Sequence, residues 1–165
     1  MSEEKKEENL LLRMVNPHSK VSREVLESDI ERVVKEASVL YNLCFMKNGL
    51  ATGARAMAHA QICDDDPLRF FVTAKRDVVI NPIITRHTKT TIDSEEGCFS
   101  FGDRMPITVQ RWNKVEVEYI TLMVDTDNKN KFKFSSVLTD KLSGLEARIF
   151  QHEQNHLDSI YIFNY

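Results

Sequence analysis

The fragment His152-Glu153-Gln154-Asn155-His156, close to the end of a 165-residue chain, most constrains what this sequence can become. Two imidazoles four positions apart converge on one point from a helix, where i and i+4 lie roughly 40° apart around the axis. The surrounding residues supply such a helix. Ser143-Gly144-Leu145-Glu146 has the spacing of a capping box, with the Ser143 hydroxyl and the Glu146 carboxylate each satisfying an orphan amide. Ala147, Ile149, Phe150 and Leu157 carry it onward. His152 and His156 share a stripe with Leu145 and Ile149, the face expected to turn inward. Two buried imidazoles need partners. A metal ion serves both and leaves Glu153 placed for a bound water rather than the ion. The plainer alternative is an amphipathic helix with two surface or core histidines.

H-E-x-x-H alone suggests a zinc peptidase, in which the third ligand follows the second histidine. Only nine residues follow His156, and their one carboxylate, Asp158, comes two positions on. That places it about 200° round the helix, facing away from the site. The missing ligand then comes from upstream. Cysteine is the strongest candidate by ligand chemistry, and Cys98 sits in the suggestive context Glu95-Glu96-Gly97-Cys98-Phe99-Ser100.

The rest of the chain predicts an α+β fold: small mixed or antiparallel sheets around the metal-binding helix, with an N-terminal helix. Ser28 or Asp29 is expected to cap a helix running to about Lys47, whose inward face is Ile30, Val33, Val34, Ala37, Leu40, Tyr41 and Cys44. Cys44 is therefore packing. Gly49 and Gly53 mark a loop where backbone can approach a ligand. Strand-type runs follow at Arg69–Thr73, Val78–Ile80, Ile107–Arg111, Val115–Val124 and Phe132–Val137, with residues 125–130 joining the last two as a hairpin. Residues 1–9 are a charged, mobile tail, and 10–165 form one catalytic domain. A net charge of −3 gives no electrostatic case for nucleic acid or anionic lipid. No run approaches the roughly 18 apolar residues of a membrane span. Three scattered cysteines and no apolar leader fit a reducing, cytoplasmic compartment.

With these residues in place, the sequence resembles the peptide deformylases. Glu96-Gly97-Cys98-Phe99-Ser100 resembles their E-G-C-L-S motif, and Gln151-His152-Glu153-Gln154-Asn155-His156-Leu157 their Q-H-E-x-D-H-L. Ile80-Asn81-Pro82 and Val109-Gln110-Arg111 resemble the flanking I-N-P and V-x-R, and the similarity runs from about Leu26 to the end. The family's glycine-rich G-x-G-x-A-A-x-Q segment is matched less well. Gln61 takes the glutamine's place, Ala56 replaces the second glycine and His59 an alanine. A second register, beginning at Gly49, lacks the glutamine. Alanine reaches positive φ less cheaply than glycine, which puts the groove in question. Asn155 replaces the usual aspartate, removing a charge near the metal.

The resemblance implies a metal-dependent hydrolase that removes the formyl group from N-formylmethionyl peptides. Cys98, His152 and His156 would hold one divalent ion, Fe²⁺ by family habit, with Zn²⁺, Ni²⁺ or Co²⁺ tolerated. The metal would lower the pKa of a water, which Glu153 would deprotonate, passing the proton to the departing amine. The Gln61 amide and the Phe99 backbone N–H would hold the oxyanion. Backbone around Ala56, Ala58 and His59 would pair with the peptide as an added strand. Glu96 and Arg111 would pair behind the ligands. Some relatives dock on the ribosome through a further C-terminal helix. Here Asp158 to Tyr165 is too short for a free helix of roughly 12–15 residues. It is expected to form a final strand or pack on the core. Monomeric turnover of free peptides is expected, without tight ribosome binding. The rival readings are an H-E-x-x-H metallopeptidase and a catalytically weak deformylase-like protein.

Other conspicuous residues have plainer readings. Asp64-Asp65-Asp66 before Pro67 is a solvated loop. His18 and His87 are surface residues, and Trp112 and Cys63 are packing. His59, two positions from Gln61, is either a substrate contact or simply exposed.

Overall fold

The computed structural model describes residues 20–47, 55–98 and 106–160, with backbone alone at 46 and 47. The charged tail, His18, Gly49, Gly53, Phe99 and the last five positions lie outside the described residues.

Helix α1 (Ile30–Tyr41) follows a 3-10 turn (Glu27–Asp29) and continues as a π-helical stretch, Asn42–Lys47. The expected stripe is buried at Val33, Ala37, Leu40 and Cys44. The expected cap is not made. Asp29 stands at the cap position, but its carboxylate turns back to accept from the Leu26 N–H at 2.8 Å and from the Arg23 guanidinium.

Among the described residues nine strands follow: β1 (Ala56–Ala58), β2 (Phe70–Thr73), β3 (Val78–His87), β4 (Thr91–Glu96), β5 (Ile107–Trp112), β6 (Lys114–Ile120), β7 (Leu122–Val124), β8 (Phe132–Phe134) and β9 (Leu138–Ser143). All pair antiparallel, in a five-stranded sheet ordered β1-β2-β3-β6-β9 and two hairpins, β4-β5 and β7-β8. The hairpin at 125–130 falls where the sequence places it. Strand β3 runs past the expected Ile80, because Asn81 takes φ +51° and the register slips there instead of ending. Asparagine tolerates that conformation better than most residues. Its side chain also clips the N-terminal segment, accepting from Val25 N and donating to Val25 O at 2.8 and 2.9 Å.

The strand period of two sends alternate side chains to opposite faces. Phe70, Val72 and Ile80 join the core under α1, while Phe71, Val79, Val115 and Val117 join Ala147, Phe150 and Leu157 of helix α2 (Gly144–Leu157). The large sheet thus holds one helix on each face. No described helix is long and apolar enough to cross a membrane.

Two expectations about α2 fail. Ser143 is still in strand conformation, and its side chain makes no cap. The chain passes straight from β9 into the helix through Gly144 at φ +58°, a turn that glycine makes at little cost. Glu146 instead pairs with Lys75 at 2.6 Å. Leu145 is 48% exposed, so the inward stripe consists of Ala147, Phe150, Gln151, Glu153, His156 and Leu157.

Leu40→Ala should cost about 2–5 kcal/mol, whereas Leu145→Ala should stay within about 0.5 kcal/mol, as read by urea unfolding. A pH effect follows from Asp29, which the Arg23 hydrogen bonds hold at about 2, below its ordinary 3.8, although burial opposes them. A depressed carboxylate pKa contributes stability that is full above the unfolded value and lost as pH falls towards the folded one. Urea midpoints measured from about pH 4 down to 2 should therefore fall more steeply in wild type than in Asp29→Asn.

Candidate metal centre

Three donors meet where the end of the β4-β5 hairpin crosses α2. Cys98 lies two residues beyond β4, and His152 and His156 stand one helical turn apart. Cys98 Sγ is 3.1 Å from His156 Nε2, which is 3.2 Å from His152 Nε2, and all three ligand atoms lie within 4.8 Å of one another. Among the described residues this is the one such cluster of three or more potential ligands. Asp158 is turned away from it, as expected, and pairs with Arg69 at 2.7 Å.

The donors fit a divalent ion. Metal–nitrogen and metal–sulfur bonds of about 2.0–2.3 Å in a tetrahedron put neighbouring donors roughly 3.3–3.6 Å apart, close to the separations seen. The His152 Nδ1–H donates to Glu96 Oε2 at 2.8 Å, so Nε2 is the ring nitrogen that faces the cluster. The surroundings also favour positive charge. Burial lowers the His152 pKa, but hydrogen bonds to Cys98 and Glu96, together with the Glu153 and Cys98 charges, outweigh it and push it up to about 10.

Behind the donors, Arg111 grips Glu96 through two hydrogen bonds of 2.8 and 2.7 Å, and both side chains are nearly buried, 3% and 9% exposed. Burial alone would raise the Glu96 carboxyl, yet its bonds to Arg111 and His152 hold it at about 2. Arg111 also donates to Asn155 Oδ1. The Asn155 substitution thus keeps an acceptor for the guanidinium while giving up a charge. Gln151, which has no role in the reading of the sequence, clamps α2 to the end of β5. Its amide accepts from Trp112 N and donates to Trp112 O, both at 2.9 Å, like a neighbouring strand. Trp112 itself stacks on His87 with ring centres 3.7 Å apart.

Glu153 is 4% exposed, and its Oε2 has no hydrogen-bond partner among the described residues. Burial, acting against the His152 charge, pushes this carboxyl up to about 7. Gln61 ends the 3-10 turn His59–Gln61 that follows β1. Its Oε1 accepts from the Ala58 N–H at 2.9 Å, which aims Nε2 at Cys98 Sγ, 3.9 Å away. Ala58 is fully buried, while Ala56 is partly exposed on β1, an edge strand among the described residues. Positive φ among the described non-glycine residues is confined to Arg76, Asn81 and Ser159. Ala56 is not among them, so the concern over the lost glycine does not apply to it.

His59 is neither exposed nor turned outward for a substrate. It is 0% exposed, with its ring nitrogens committed to Glu36 and Leu68. No local pattern reveals this, because Glu36 lies 23 residues upstream on α1. Asp66 is also more than solvated, bridging Arg23 and Arg32 at 2.7 and 2.5 Å. Cys63 is half-buried beside Arg32, and Cys44 packs against the Met57 sulfur in the core, where burial raises its thiol.

The chain is similar to known proteins in sequence and in fold. A peptide deformylase of Thermus thermophilus is 35% identical over 100 residues, 61% of this chain and 45% of its own length. One from Orientia tsutsugamushi is 33% identical over 87 residues, 53% of this chain and 41% of its own. The chain therefore spans less than half the length of these curated relatives. Among solved structures, PDF from the Vibrio parahaemolyticus bacteriophage VP16T, crystallised with actinonin, matches at TM-score 0.62 and 29% identity. That match covers 87% of this chain and 91% of the other. Peptide deformylase from Thermotoga maritima shares the fold at TM-score 0.68 and 24% identity, covering 92% and 89%. The family profile described as polypeptide deformylase matches residues 56–165, which include β1, Gln61, Cys98 and all of α2. On that match, the chain belongs to the peptide deformylase family.

Proposed function

We propose that this chain is a metal-dependent hydrolase that removes the formyl group from N-formylmethionyl peptides in a reducing, cytoplasmic compartment, acting as a monomer with residues 10–165 as one catalytic domain. The observation that carries the reading is the meeting of three unlike elements. They are a Cys98/His152/His156 donor set, a Gln61 amide aimed at Cys98, and the buried carboxyl of Glu153, next to His152 in the chain, with one oxygen lacking a hydrogen-bond partner among the described residues.

When bound, a divalent ion, Fe²⁺ in the cell by family resemblance, supplies the Lewis acidity that makes a water nucleophilic near neutral pH. Glu153 takes the proton of that water at its free Oε2 and returns it to the amine as the formyl C–N bond breaks, leaving formate and a free N-terminus. Its high pKa suits a group that must both accept and give a proton near neutrality. As the formyl oxygen gains charge, the Gln61 Nε2–H donates to it. The Phe99 backbone N–H, outside the described residues, is the second donor by resemblance. The peptide joins the open edge of β1 as an added strand, with Ala56 at its partly exposed position. Glu96 and Arg111 orient His152 and α2 behind the donors. The metallopeptidase alternative is disfavoured by a thiolate donor upstream of the helix and by the family match. The weak-enzyme alternative loses its main support with the ordinary backbone of Ala56.

Formate release from a formyl-Met peptide, anaerobically with Fe²⁺ or in air with Ni²⁺, is the direct test. No turnover, or cleavage of internal peptide bonds instead, would defeat the proposal. Elemental analysis should find one metal per chain in wild type and little in Cys98→Ser; equal occupancy would remove Cys98 from the site. Glu153→Ala should retain the metal and lose at least about 10²–10⁴-fold in kcat. Near-normal kcat with metal retained would rule out its proton-transfer role.

A further inference from the structure

We propose that Glu36 and the buried His59 form a pair that positions Gln61, so that α1, on the far face of the sheet from α2, sets the aim of the oxyanion donor. This inference rests on the deformylase reading for Gln61.

The protonation of His59 follows from its partners. The Leu68 N–H donates to Nδ1 at 2.9 Å, so Nδ1 is an acceptor and the ring proton sits on Nε2. The Nε2–H donates to Glu36 Oε2 at 2.5 Å, and the ring lies flat on Phe70, centres 4.7 Å apart and 18° from parallel. Three directions of restraint leave the ring no free rotation. Glu36 is held in turn by Arg32, which bonds both carboxylate oxygens at 3.1 and 3.3 Å. Arg32 also grips the Asp66 side chain and carbonyl. Both ends of the segment from His59 to Leu68 are thereby fixed to α1.

His59 is also the first residue of the turn that ends in Gln61. Its carbonyl accepts from Ile62 N and Cys63 N at 3.0 and 3.1 Å. The Gln61 side chain depends on the geometry of that turn, because its Oε1 must meet the Ala58 N–H for Nε2 to face Cys98. Where the family motif has alanine, a methyl group needs no partner. An imidazole at that buried position requires one, and Glu36 is it. Displacing a catalytic group by about 1 Å can cost about 10²-fold in rate, so a restraint on this turn matters to chemistry and not only to folding.

The test uses Glu36→Ala, Glu36→Gln and His59→Asn, each in the wild-type and the Gln61→Ala backgrounds. Glu36 is partly exposed on α1, so its variants fold even if His59→Asn does not. Glu36→Ala and His59→Asn should lower kcat by about 10- to 100-fold while KM stays within about 3-fold, the pattern of an interaction felt in the transition state. Glu36→Gln should remain within about 3-fold of wild type, because its amide oxygen still accepts from Nε2–H. Neither damaging variant should slow Gln61→Ala further. Equal losses in both backgrounds, or an unchanged kcat, would overturn the positioning role. A readout independent of turnover is the nuclear magnetic resonance of the Gln61 side-chain amide. It should shift and broaden in Glu36→Ala and match wild type in Glu36→Gln; an unmoved signal overturns the proposal. If wild type releases no formate, the deformylase reading falls, and the amide signal alone decides whether the pair positions Gln61.

Discussion

The ion pair between Arg111 and Glu96 is the contact on which the candidate metal centre depends. It joins three elements that the chain brings together from far apart: β4 through Glu96, β5 through Arg111, and α2 through His152 and Asn155. A buried pair of this kind adds little net stability, since desolvating two charges offsets most of their attraction. Its consequence is specificity. If the hairpin slipped or α2 rotated, a charge would be left buried and unpaired, at about 3–5 kcal/mol. Cys98 stands only two positions from Glu96, so the contact that holds the hairpin against the helix also delivers the thiolate to the two imidazoles.

The helix is held by neutral contacts as well. Gln151 takes the place of a strand at the end of β5, and Ala147, Phe150 and Leu157 enter the core beneath the sheet. Gln151, His152 and Asn155 therefore grip the β4-β5 hairpin from one turn of helix, while Glu153 is turned inward. Its neighbourhood overlaps that of β1, because the Ala58 N–H both bonds Gln61 and lowers the Glu153 carboxyl. One amide thus relates the proposed proton carrier to the proposed oxyanion donor.

What the sequence revealed and what it hid divide along physical lines. The donor set was legible, since helical spacing fixes His152 and His156 on one face and ligand chemistry singles out Cys98. The α1 stripe and the longer apolar strands were legible from their periods. Strands β4 and β9 were not, because Thr91–Glu96 and Leu138–Ser143 carry polar and charged residues at most positions and are largely exposed. The supposed capping box at Ser143 failed because the strand continues to that residue and Gly144 makes the turn alone. Asn81-Pro82 reads as a strand end and is a slip in register. His59 misled for a different reason: local sequence does not distinguish a buried imidazole from an exposed one when the partner lies on another helix.

Asn155 bears on the charge balance of the site. Among the described residues Arg111 donates to the Glu96 carboxylate and to the uncharged amide of Asn155. A divalent ion held with one thiolate would leave a single positive charge among the donors, which the ionised form of Glu153 would neutralise. With aspartate at 155 the same set would carry one more negative charge, and releasing the proton from Glu153 would be harder. On the proposed mechanism the asparagine would therefore favour the ionised form of Glu153, the form proposed to accept a proton. The amide keeps a hydrogen bond to Arg111 in place, so the effect of the substitution would be expressed in the proton affinity of Glu153 rather than in the architecture around it.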